Sequence, residues 1–267
     1  GGRRWFERYE QSCGSLDLGA TSATVRPWSP VAYVPSACVV ARTAPLGGGF
    51  DEELRSGEDV DLVWRLVETG HRVAYDAEVV VHHEGRATVR AWLGRHVFYG
   101  TSAGPLAARH GRAVAPAVLT PRQAACLGAV MLQRRWSFAA GALLAGRVAA
   151  QTWHELPEER AVARARVASS VLALTARQGA GLALKHAAPL SLAAALFSRR
   201  VRRNVVVLGV LEGLLAWCRS DRSTDPVTFT AARRASDAAY GVGVWTGAVR
   251  EHSVACLLPH VLRGRRP

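Results

Sequence analysis

The densest cluster of side chains able to do chemistry is FDEELRSGEDVDLVWRL, residues 50–66. Within it Glu58 and Asp59 follow Gly57 and open a helical pattern, so a loop hands a carboxylate to a fixed helix start. A hydroxyl is a poor nucleophile until its proton is removed. A positioned carboxylate can remove it, and such general-base help is worth about 10²–10⁴-fold in rate. The same two residues can equally be caps, because acidic side chains at a helix N-terminus are stabilised by the backbone dipole. Further on, His82, His83 and Glu84 follow an apolar run. Histidines at such a strand end can ligate a divalent metal or contact a phosphate. The acidic loop and the histidine pair together point to a site more strongly than either does alone.

Stepping out from the cluster, the elements that must hold it are readable. From Asp59 to Thr69, Val60, Val63, Trp64 and Val67 recur at i, i+3, i+4 and i+7, which gives a helix one apolar face with Trp64 in it. Asp61 and Arg65 lie four apart on a more exposed face and can pair. Gly70 ends the helix. Residues 28–42, WSPVAYVPSACVVAR, read as strand, turn and strand about Pro35. TAPLGGGFDEELRSGED reads as a loop, and HRVAYDAEVVVHHE as a strand in which Val79 to Val81 are buried. After about residue 88 apolar helical segments punctuated by proline take over. On the first of these lie His96, Tyr99 and Arg109, able to line a site or simply to pack. In the late segment DAAYGVGVWTGAVRE, Asp237, Tyr240, Trp245 and Arg250 stand at near-helical spacing, able to close over a site or to pack beside it.

Charge divides the chain unevenly. The net charge is +13; residues 1–120 hold 13 basic and 13 acidic side chains, and the remainder holds 21 and 8, so the whole excess lies in the second half. Such asymmetry faces something anionic. The longest apolar stretch, residues 167–198, is interrupted by Arg177 and Lys185, and the run Asn204 to Cys218 is short and contains Glu212. Neither matches the roughly 20 uninterrupted apolar residues of a spanning helix. Arg134, Arg135, Arg199, Arg200, Arg202 and Arg203 flank these stretches. Apolar helices edged by arginine suit an anionic leaflet, at roughly 1 kcal/mol per basic residue, or an ordinary helical bundle with solvated faces. The pI of about 10.8 also raises a nucleic-acid-binding or membrane-binding non-catalytic module. Against nucleic acid, the basic residues are interleaved with apolar runs, and no nucleic-acid-binding motif is present. The cysteines are odd in number, five, without a CxxC spacing, so neither a zinc site nor a disulfide framework is indicated and a reducing cytosol is expected.

The order FDE, GED, a DLVWRL helix, a strand and then a histidine resembles the acceptor half of the GT-A fold in family 2 glycosyltransferases. SLDLG, VAYVPSACVVAR, FYGTSAGPLAARHG and AYGVGVWTGAVREHS narrow the resemblance to the branch that serves the mycofactocin system, over about Ser15 to Pro259. The resemblance implies an α/β domain over 1–110, followed by a basic, mainly α-helical region over 111–267. It implies an inverting hexosyl transfer with Asp59 as base and Glu58 beside it. Asp61, Trp64, Arg65, Arg86 and Tyr99 would bind substrate, and His83 and His82 would serve an Mg²⁺ or Mn²⁺ site. The donor would be a nucleotide sugar such as UDP-glucose, the acceptor peptide-derived or a glycan, and the location cytoplasmic, peripheral on the inner membrane face. The family's nucleotide-binding βαβ half with its DxD metal motif is not recognisable before residue 50. The 267 residues are therefore expected to be a fragment, inactive alone.

Overall fold

Helix starts in this chain carry their own signals. Asp225 caps its helix with one carboxylate oxygen accepting from the Val227 and Thr228 amides, and Pro226 follows in the first turn. At Thr120 the hydroxyl accepts from the Gln123 amide, while the Gln123 side chain accepts from the Thr120 amide. Gly70, at φ +87°, ends the helix Glu58–Glu68: its amide reaches Val67 O and that of His71 reaches Leu66 O.

The computed structural model describes residues 4–14, 16–81, 86–156 and 159–262, and the chain divides into two units. The first takes in the residues up to Ala115 and then Gly213–Leu257. It holds α1 (Trp5–Cys13), β1 (Ala23–Val25), α2 (Thr43–Leu46), α3 (Glu58–Glu68), β2 (Val73–Tyr75), α4 (Val89–Thr101), α5 (Ala103–His110) and later α11 (Pro226–Arg250). Strands β1 and β2 pair antiparallel with Val25 opposite Val73. Beside them Val25, Val31, Val63 and Trp64 form one buried cluster. A second, aromatic cluster joins Phe6 and Tyr9 of α1, Trp92 of α4, and Phe229 and Ala232 of α11. In it the rings of Phe6 and Trp92 stack and Tyr9 meets Phe229 edge-on.

The motifs FYGTSAGP and YGVGVWTG meet in α4, α5 and α11. A Cβ on Gly243 would lie 2.0 Å from Val97 O, and one on Gly100 2.2 Å from Tyr240 O. Gly104 and Gly247 approach each other as closely, so the helices cross backbone to backbone. Of the two roles open to the late segment, packing is the one observed, and its helix belongs to the first unit, although it lies far beyond the expected division at 110.

The second unit, Pro116–Glu212 with residues from Leu258, holds β3 (Val118–Leu119), α6 (Pro121–Leu132), α7 (Arg135–His154), α8 (Ala161–Gly181), α9 (Ala188–Phe197), the first part of α10 (Arg199–Arg219) and β4 (His260–Val261). A π-turn, Leu182–His186, joins α8 to α9, and β3 pairs parallel with β4.

Two strand expectations are corrected. Residues 28–42 contain turns and extended backbone but no strand: Pro27, Pro30 and Pro35 remove amide donors, and Trp28 sits at φ +65°. Val79 to Val81 are exposed, not buried. Asp76 turns the chain after β2 by accepting from the Glu78 amide, so the sheet stops before those valines.

Candidate active site

Asp59 reaches its position through Gly57. That residue is the N-cap of α3 at φ +81°, and a Cβ there would stand 2.8 Å from Ser102 Cβ of α5's flank. Only glycine meets both the left-handed backbone and the close approach. From this start Glu58 opens the helix and Asp59 stands half-buried in the wall of a cleft of about 1620 Å³. The opposite surfaces come from the 34–46 loop, from Val79–Val81 and Arg86, and from Trp92, Arg95, His96 and Tyr99 of α4.

The Asp59 carboxylate accepts from the Val60 amide at 2.8 Å. Burial pushes its pKa above the ordinary carboxylate range and neighbouring Glu58 adds to this, while the amides of Val60 and Ser36 oppose it. Tyr33 stands close enough for its own hydroxyl to be pushed up, first by burial and then by the Asp59 charge. The group is a carboxylate held nearer to neutrality, facing open space, which is what a general base requires.

The remaining expected site residues separate. Arg86 and Tyr99 do line the cleft, and Arg95 stacks over the Tyr99 ring at 4.7 Å. Asp61 does not: it is only 1% exposed, with Arg65 Nε at 2.7 Å on one oxygen and His110 Nε2 at 2.9 Å on the other. Burial alone would raise its carboxyl pKa, but Arg65 and His110 outweigh it and hold the group below the usual range. The expected Asp61–Arg65 pair therefore exists, but on a buried face. Arg65 also donates to Gly49 O at 2.6 Å, which ties α3 to the glycine loop. Trp64 is buried, its indole donating to Ala32 O at 2.7 Å and its ring edge-on to His110. As substrate contacts Asp61, Trp64 and Arg65 are thus corrected to the scaffold that fixes α3. Arg109 of α5 pairs with Asp51, so the FDEE segment is clamped from the same side.

His82 and His83 lie outside the described residues. Among the described residues no three His, Cys, Asp or Glu side chains converge as metal ligands, and no step is routed through a cation. Sequence reasoning passed over Tyr33 and Ser36, which lay in a stretch read as strands. It also passed over Glu10, whose carboxylate accepts from Trp92 Nε1 at 2.6 Å beside the cleft.

No family model and no solved structure matches the chain. It is similar to the pre-mycofactocin glycosyltransferase of Mycobacterium tuberculosis, in strains CDC 1551 and H37Rv, with 39% identity over 274 residues. The match covers 95% of this chain and 56% of the relative, so the chain spans little more than half the length of the proteins it matches. Across nearly its whole length, the chain is thus similar to the portion it matches of proteins named pre-mycofactocin glycosyltransferase.

Proposed function

We propose that this chain carries the acceptor-side, base-bearing portion of an inverting family 2 glycosyltransferase with a GT-A core. The observation that supports this most directly is Asp59, a half-buried carboxylate raised in pKa and facing a cleft large enough for a sugar acceptor. Asp59 takes the proton of an acceptor hydroxyl. The oxygen attacks the anomeric carbon of a nucleotide sugar, and the bond from that carbon to the diphosphate oxygen breaks with its electron pair, inverting the centre. Tyr99, Arg86 and Arg95 line the space an acceptor sugar would fill, with a ring and guanidinium groups suited to stacking and hydroxyl contacts.

UDP-glucose is the donor in this reading, and a peptide-derived molecule, as the relative's name implies, or a glycan is the acceptor. The divalent ion and the histidines His82 and His83 belong to the donor side. A cytoplasmic location is part of the same reading, supported by five free thiols.

The test is glucosyl transfer by the protein as its gene encodes it. Asp59→Asn is expected to lower kcat about 10²–10⁴-fold with little change in acceptor KM. Glu58→Gln is expected to cost far less. Full turnover by Asp59→Asn would move the base elsewhere. Residues 1–267 alone are expected to give no transfer from UDP-glucose.

A further inference from the structure

In the second unit the usual inside-out order of side chains is reversed. The buried residues of α7 to α9 are small: Ser137, Gly141, Val148, Ala168, Thr175, Ala180, Ala188 and Ala195. The large apolar side chains of the same helices, such as Phe138, Leu143, Leu174, Leu192 and Phe197, face outward. Helices that pack through small residues and turn large ones outward are built for surroundings as apolar as leucine itself. Water gives no such reward, and an exposed apolar surface of this extent marks an interaction site.

The outward face has a charged border at one corner. There the end of α6, the start of α7, the end of α9 and the start of α10 come together. Arg203 donates to Gln133 Oε1 at 2.6 Å, Asn204 donates to Met131 O, and Arg202 donates to Ala195 O. Trp136 is 62% exposed at this corner, and Phe197 91%. Around them Arg134, Arg135, Arg199, Arg200, Arg202 and Arg203 are all exposed. Residues 116–212 hold 13 basic side chains against four acidic ones.

No single helix is long and apolar enough to cross a membrane, but Ala161–His186 and Ala188–Phe197 form an apolar pair bent by 79°. By length and composition such a bent pair fits a broken span or a re-entrant loop. Exposed tryptophan and phenylalanine beside arginines match the boundary between acyl chains and headgroups. The rings sit at the interface, and guanidinium groups reach anionic phosphates.

We propose that the second unit embeds in one leaflet of an anionic lipid membrane, with Trp136 and Phe197 in the acyl boundary and Arg135, Arg199 and Arg200 on the headgroup phosphates. The occupant is lipid because the corner combines exposed large apolar side chains with an arginine border. A second copy of the chain would bring the same positive border against itself, and a nucleic acid would leave the aromatic and leucine surface wet. The inference stands apart from the catalytic reading, because membrane binding needs no turnover.

The experiment is flotation of the full chain with vesicles of phosphatidylcholine alone, or with a quarter phosphatidylglycerol. Flotation with the anionic vesicles only, weakening as salt is raised, is the expected result. Arg135→Gln, Arg199→Gln and Arg200→Gln should each weaken partition about fivefold, and all three together about a hundredfold. Dibrominated phosphatidylglycerol should quench part of the tryptophan fluorescence, a part that is lost in Trp136→Phe. That conservative change, checked by circular dichroism, separates lipid contact from misfolding. The proposal is overturned by equal partition to both vesicles or by quenching unchanged in Trp136→Phe. It is overturned also by lipid-free dimers that Phe197→Ser dissolves, or by binding to DNA with none to vesicles.

Discussion

Asp59 and Asp61 stand two residues apart on α3, and their surroundings send them opposite ways. Asp59 is half-buried beside Glu58 with two amides for support, and its carboxyl is raised. Asp61 is clasped by Arg65 and His110, and its carboxyl is lowered. A base must be deprotonated to work, so the acid limb of kcat/KM should lie above the usual carboxylate range, and Asp59→Asn should abolish that limb along with turnover. Stability follows the opposite sense at the two sites. The raised carboxyl of Asp59 favours the folded state at low pH, and this contribution is lost as pH rises through its folded value. Asp59→Asn should therefore raise Tm slightly at neutral pH. Asp61 contributes above its unfolded value, and the contribution is lost as pH falls through the lowered one. Asp61→Ala takes from His110 one of its two carboxylate partners and from Arg65 its ion pair, and is expected to cost about 3 kcal/mol, read as a fall in urea midpoint. An unchanged midpoint would mean the pair is idle.

Among the elements, the crossing of α4 and α5 with α11 decides whether the cleft has a wall at all. Trp92, Arg95, His96 and Tyr99 reach the cleft from α4, and α4 is held against α11 at glycine contacts. Gly243→Ala puts a methyl 2.0 Å from Val97 O, which backbone cannot yield to without the helices parting. A loss of about 3 kcal/mol is expected, at the upper end of overpacking. Gly94, on the same α4, has nothing within 4 Å of its virtual Cβ. Gly94→Ala should instead stabilise by about 0.5–1 kcal/mol, since only helix propensity changes. Thermal melts of the pair separate close packing from propensity. At the head of α3, Gly57→Ala meets both the left-handed φ and Ser102, and about 1–3 kcal/mol is expected, with Asp59 displaced as well.

At the scale of the molecule, the first unit is discontinuous in sequence. Phe229, Ala232, Val244 and Ala248 of α11 complete cores whose other buried members, Cys256 apart, lie within the first 115 residues. A chain ending at Glu212 is thus expected to lose the cooperative near-ultraviolet transition of the Phe6, Tyr9 and Trp92 cluster. A transition retained at the same midpoint would show α11 to be dispensable. In the second unit the small-inside, large-outside order of α7 to α9 leaves little apolar area to bury in water, so its stability should depend on what covers it.

Much of this was written locally. The helix at Glu58, its apolar face, its glycine stop and the placing of Asp59 at a loop-to-helix junction follow from period and capping, which are properties of neighbours in sequence. The asymmetry of charge was equally plain, being a matter of composition. What tertiary structure alone decided was which side of α3 faces what. Periodicity put Asp61 outside and Val79–Val81 inside, and both were reversed. His110 and Arg65 converge on Asp61 across 49 and four residues of sequence, and Val79–Val81 stay exposed after β2. The role of the glycines of α4 and α11 shows only once the two helices meet. A glycine at a crossing is recognisable only when the partner backbone, more than a hundred residues away, is in place.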